Sequence, residues 1–120
     1  MKRNMEYVRT LLIDTEKLGE DGNVEFQILL KDPIEAWHGG MLMEAGYLYG
    51  EMEKDEYGSI LWCRVVGMTW KGCELLDTIR DDNVWNRIKT SFKGKVVSAS
   101  TEVLMNIGTN VALNMIGLRG

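Results

Sequence analysis

The sequence predicts an α+β domain of winged-helix-like order, on three observations. Asp32-Pro33-Ile34-Glu35 combines an acidic N-cap, proline at the first helical position and the capping-box glutamate three residues on, the clearest helix start in the chain. Tyr47 to Met68 then reads as two arms rich in aromatic and β-branched residues around a Gly58 turn, which is a β-hairpin. Where the second arm ends, Thr69 offers an N-cap and helical spacing resumes as far as Phe92. The expected order is helix, short strand, helix, hairpin wing and two further helices. The second helix, which a winged-helix domain usually places before its recognition helix, is missing.

Asn4 caps the first helix, in which Met5, Val8, Leu12 and Thr15 line one face and Leu11 widens it. Gly19 ends that helix, and Glu20, Asp21 and Gly22 form a turn. From Val24 the period changes: Val24, Phe26, Ile28 and Leu30 alternate with Glu25, Gln27 and Leu29, the pattern of a half-buried strand that pairs with the later hairpin. The helix opened by Pro33 runs to about Ala45 and is expected to bury Ile34, Trp37, Met41, Leu42 and Ala45. Gly39 and Gly40 in its middle each cost about 1 kcal/mol against alanine. Either the helix kinks there or something approaches its backbone closely. Gly46 closes it in the left-handed cap position.

In the hairpin, the first arm is Tyr47 to Glu53, the connection is Lys54 to Ser59, and the second arm is Ile60 to Met68. Ile60, Trp62, Val66 and Met68 are expected on one face, interrupted by Arg64. Gly72 falls three residues into the next helix and predicts close packing against the strand just left. Cys73, Leu76 and Ile79 follow at helical spacing, and Asp81, Asp82 and Asn83 supply a second cap before Val84, Ile88 and Phe92. The region holds two helices or one with a break, with Trp70, Leu76, Trp85 and Ile88 specifying packing. Gly94 marks a loop, after which Ser98 or Ser100 caps a last apolar helix at about 100–117. Its face of Val103, Leu104, Ile107, Val111, Met115 and Ile116 either completes the core or forms a homodimer interface.

At 120 residues the chain is expected to be a single domain spanning 1–120. It has no run of about eighteen apolar residues, so no membrane span is expected. MKRNMEYVRT carries charges without an apolar signal region behind them, which predicts a cytoplasmic protein. Cys63 and Cys73, ten apart in apolar surroundings, fit no metal or redox spacing and are expected as buried or half-buried thiols. The net charge of -4 is unevenly spread. Between Asp32 and Tyr57 seven acids face one base, Lys54, a balance of -6 that leaves the rest of the chain at +2.

MKRNMEYVRTLL, WHGGMLMEAGYL and MTWKGCELLDTIRDDNVWNRIK resemble, in that order, the three motif blocks of domain-of-unknown-function family 2513, found in bacterial and phage genomes. The third block is the most specific, because helix formation alone does not dictate IRDDNVWNRIK. The resemblance implies a small winged-helix-like cytoplasmic protein, often of prophage origin, and brings no catalytic residues with it. His38 and Glu44-Ala45-Gly46 match the family pattern, while Gly39-Gly40 stand where larger helix formers are usual.

Catalysis is not expected. A single histidine cannot build a His-based metal cluster, neither cysteine has a neighbouring base, and Gly39-Gly40 lack the lysine and spacing of a phosphate loop, so no cofactor or metal is expected. His38, beside Trp37, reads first as a hydrogen-bonded, semi-buried residue. A winged helix invites DNA binding, with the helix 33–45 in the major groove and the wing 47–68 on the backbone. Yet these two elements hold the acids, which disfavours phosphate contact. The candidate macromolecule-contacting surface is Glu35, His38, Gly39, Met43, Glu53, Lys54 and Glu56, with a protein as the expected partner and nucleic acid as the alternative. An alternative basic surface consists of Arg80, Arg87, Lys89 and Lys93, to be weighed against a solvated face paired with Asp77, Asp81 and Asp82.

Overall fold

In the computed structural model, which describes residues 1–20 and 22–91, the order is α1 (Met5–Glu16), β1 (Ile28–Leu30), α2 (Pro33–Glu44), β2 (Leu48–Lys54), β3 (Ile60–Met68), α3 (Trp70–Ile79) and α4 (Asp82–Ser91). The fold is α+β and compatible with a winged-helix-like domain, and no helix intervenes between α1 and β1 among the described residues. The predicted apolar helix at about 100–117, Phe92 and Lys93 lie outside the described residues.

Local chemistry sets the helix ends. The Asn4 side chain accepts the amides of Glu6 and Tyr7, and Asp32 accepts those of Ile34 and Glu35. The Thr69 hydroxyl accepts the Gly72 amide at 3.1 Å and donates to the Gly46 carbonyl at 2.5 Å, tying the start of α3 to the end of α2. Asp81 accepts the amides of Asn83 and Val84, so the helical run breaks there into α3 and α4. The α1 face is buried as predicted, at Met5, Val8, Leu11, Leu12 and Thr15. Leu75, Leu76 and Ile79 from α3 and Val84, Trp85 and Ile88 from α4 join it in one core. Trp70 departs from expectation: it is 81% exposed, its indole N–H donating to Glu74 one helical turn on.

The sheet has the order β1-β3-β2, antiparallel throughout. The predicted strand from Val24 shrinks to Ile28–Leu30, opposite Cys63–Val65, and Val24 and Phe26 are 86% and 75% exposed. Alternation makes a strand only where a neighbour supplies hydrogen bonds. Residues 24–27 would run beside β3 where it bulges and then turns into α3.

Two register shifts, at Tyr49/Gly50 and Glu53/Lys54, leave Val66 and Leu61 as extra residues in β3. Each shift flips the phase of alternation. Ile60 and Met68 therefore pack with the core beside Cys63 and Val65, apart from Trp62 and Arg64, so the single face expected for Ile60, Trp62, Val66 and Met68 does not exist.

The largest correction concerns α2. Of its predicted buried face only Leu42 is fully buried, while Ile34 and Met41 are 57% and 41% exposed, Ala45 is exposed and Trp37 is half-buried. The helix instead turns Ala36, His38, Gly39 and Gly40 inward. A Cβ on Gly39 would lie 2.5 Å from Cys63 Sγ and 2.8 Å from Leu30 Cδ1, and one on Gly40 would overlap Ile60 Cδ1. The glycines thus mark close approach of the sheet to an unbroken helix, the second of the two expectations. Gly72 permits close packing in α3 as predicted, but the tight contact is with the Tyr47 carbonyl oxygen just before β2, which a Cβ would overlap, rather than with the strand just left.

Candidate functional site

The inward turn of α2 decides which of its residues are available to a partner. His38 is 2% exposed, with Nε2 2.9 Å from the Asn4 backbone nitrogen and Nδ1 2.8 Å from the Ile34 carbonyl oxygen. Because an amide can only donate, Nε2 is the acceptor and Nδ1 carries the proton. Both ring nitrogens are engaged, and Tyr7 and Trp37 stand edge-on at 5.2 and 5.0 Å. His38 therefore locks the start of α1 to α2. Gly39 is buried against β1 and β3, and Met43 packs half-buried against the core. The half-buried Glu35 accepts the Tyr7 hydroxyl at 3.2 Å; burial, followed by the Glu35 charge and hydrogen bond, raises the Tyr7 pKa well above its ordinary value.

Glu53, Lys54 and Glu56 are exposed on the hairpin, whose tip is shaped by Asp55 accepting the amides of Tyr57 and Ser59. Lys54 forms an ion pair with Glu44, so one predicted acid of α2 is matched from within the chain. Of the predicted contact residues, Glu35, Met43, Glu53, Lys54 and Glu56 thus reach the surface wholly or in part, and His38 and Gly39 do not.

The alternative basic surface is largely tied up internally. Arg80 holds Glu16 through two hydrogen bonds, at 3.0 and 2.6 Å, and Asp77 at 2.7 Å; the Glu16 bond leads the interactions that raise its pKa. Lys89 pairs with Glu6 at 2.8 Å, and Arg87 is exposed. The break at Asp81 puts Arg80 at the end of α3 and Arg87 and Lys89 on α4. Lys93 lies outside the described residues. Arg9 spans α3 and α4, donating to the carbonyls of Ile79 and Arg80 and to the Asp82 carboxylate. No sequence signal couples residues so far apart.

Among the hollows of the described surface are three of different character. The largest of these three, about 470 Å³, lies between the N-terminal segment, α1, α2 and α3, and is walled by Met5, Val8, Trp37, Met41, Leu42 and Tyr47. A second, about 360 Å³, lies across the Trp37–Met41 ridge, between α2 and the hairpin tip, and contains the matched charges Glu44 and Lys54. The smallest, about 220 Å³, mixes Asp14 and Glu25 with Lys17. Among the described residues no group of three or more His, Cys, Asp or Glu is placed to hold a metal ion. No described helix is long and apolar enough to cross a membrane.

Residues 2–98 match the family described as "Hypothetical protein (DUF2513)". The chain is also 30% identical over 125 residues to an "Uncharacterized protein" of Haemophilus influenzae (strain ATCC 51907 / DSM 11121 / KW20 / Rd), across 97% of this chain and 99% of that relative. No solved structure matches. On a match over most of its length, the chain belongs to the DUF2513 family.

Proposed function

We propose that the protein is a non-catalytic regulatory or accessory factor of phage or prophage type that works in the cytoplasm by contacting another protein. The observation that carries this is the outward stripe of α2. Ile34, Trp37 and Met41 fall at i, i+3 and i+7, the spacing with which a helix anchors in a partner's groove. A helix that reads the major groove would put arginine, lysine, asparagine or glutamine at such positions, and α2 contains none of these. Beside the stripe the hairpin presents Glu53, Glu56 and the 85% exposed Tyr57, a rim suited to a partner with basic residues around an apolar centre.

DNA binding through α2 and the wing is the alternative, and a salt titration against mixed-sequence duplex decides between them. No measurable complex is expected at about 150 mM salt. Tight binding there, with log K falling steeply against log salt, would replace protein contact by DNA contact. The positive arm is photo-crosslinking from position 37 in cells, where a single adduct is expected for the parent and its loss for Ile34→Asp.

A further inference from the structure

We propose that the 470 Å³ hollow beside α2 is a binding site for a medium-chain aliphatic carboxylate. The hollow shares Trp37 and Met41 with the proposed contact stripe, but its ligand and its test do not depend on that reading.

Charge sets this hollow apart. The chain carries a net charge of -4, yet among the described residues no Asp or Glu lines the hollow, whereas Arg3 and Lys71 both do. The two cations come from opposite sides: Arg3 precedes α1, and Lys71 is the second residue of α3. The Lys71 ammonium donates to the Ala45 carbonyl at 3.2 Å and stands 4.5 Å from the centre of the Tyr47 ring. It carries three donors, and the carbonyl takes one. An anion beside it would gain charge-assisted hydrogen bonds from a group already held in the lining. His38, also in the wall, has both nitrogens engaged and contributes shape only.

The rest of the site is apolar and adaptable. Trp37 and Tyr47 give flat walls, and Met5 and Met41 are unbranched thioethers that can follow an irregular or flexible guest. The volume lies in the range of small-molecule sites, roughly 300–1,000 Å³. Neither neighbouring hollow combines these properties. The one across the ridge has its charge cancelled by Glu44 and Lys54, and the smallest carries two acids against one base. An aliphatic tail against the methionines and Trp37, with its carboxylate on the Lys71 ammonium, satisfies both halves of the site.

The test is titration of the full chain with decanoate below its micelle concentration, followed by calorimetry and tryptophan fluorescence, with decanol and decylamine as neutral and cationic counterparts. One saturable site is expected, with decanoate bound about tenfold or more tighter than decanol, the scale of one charge-assisted hydrogen bond. Decylamine should not bind. Lys71→Met should bring decanoate down to the affinity of decanol and leave decanol unchanged. Met41→Glu, which places a carboxylate at an exposed helical position in the wall, should abolish decanoate binding while far-UV circular dichroism stays as in the parent. Equal affinity for decanoate and decanol, non-saturating uptake, or decanoate binding that survives Met41→Glu would overturn the proposal.

Discussion

The backbone N–H of Asn4 donates to Nε2 of His38 at 2.9 Å, joining the N-cap of one helix to the middle of another 34 residues away. Through Nδ1, the same imidazole holds the Ile34 carbonyl one turn back in α2. One side chain thereby sets how α1 and α2 meet, and so the width of the hollow between them.

Replacing His38 by leucine keeps apolar bulk but leaves the Asn4 amide without this acceptor. Asn4 is exposed, so water can take up its amide, and we expect a loss of about 0.5–1.5 kcal/mol, the net worth of the hydrogen bond. Urea denaturation would show it as a lower midpoint at unchanged slope.

The two α2 glycines set helix propensity against packing. Gly40→Ala should gain about 1 kcal/mol of propensity but overlaps Ile60 Cδ1, and overpacking of this kind costs about 1–3 kcal/mol. Because valine lacks that methyl, Ile60→Val should relieve the clash, and a double-mutant cycle on thermal unfolding should show favourable coupling. Gly72→Ala should be the more damaging change, since its obstacle is the Tyr47 backbone carbonyl.

Glu6 fastens α4 to the start of α1 through Trp85 Nε1 at 3.1 Å and Lys89 Nζ at 2.8 Å. Burial pushes its carboxyl up, but hydrogen bonds from Lys89 and Trp85 and the charges of Lys89 and Arg9 outweigh it, holding the pKa below the ordinary value of 4.5. A carboxyl depressed in the folded state stabilises at pH above its unfolded pKa, and that contribution is lost as pH falls through the folded pKa. Glu6→Gln should therefore lower the melting temperature at pH 7 and narrow the gap between pH 7 and pH 3. An unchanged gap would show that the clasp contributes nothing to acid sensitivity.

Cys63 is fully buried, and burial pushes its thiol up to about 11, so only about one molecule in a thousand is thiolate there at pH 8. Cys73 is half-buried on α3. With a thiol-reactive disulfide reagent, Cys73 should label first in the native protein, and Cys63 only at the rate of unfolding or after denaturant is added. Peptide mapping of the labelled protein would identify the order.

What the sequence by itself determined was local. Asn4, Asp32, Thr69 and Asp81 cap helices wherever their neighbours allow, and the stripe of α1 and the described stripe residues of α4, Val84 and Ile88, are buried as they read. The hairpin was legible from its turn, and Gly72 from its cost in a helix. The buried face of α2 was not, because hydrophobicity points to Ile34, Trp37 and Met41 while the sheet packs against the side with no side chains at Gly39 and Gly40. Close backbone approach overrides apolar periodicity when a glycine pair permits it. The extent of β1 and the faces of β3 depended on pairing and on two bulges, which alternation cannot show.

The candidate site was decided almost wholly by tertiary structure. Composition places the acids around α2 and the wing, but the fold matches Glu44 with Lys54, keeps Glu35 beside Tyr7, and brings Arg3 and Lys71 to one hollow from 68 positions apart. A helix can be read from its own residues because its hydrogen bonds are local, whereas a charged apolar hollow exists only once distant segments have been packed together.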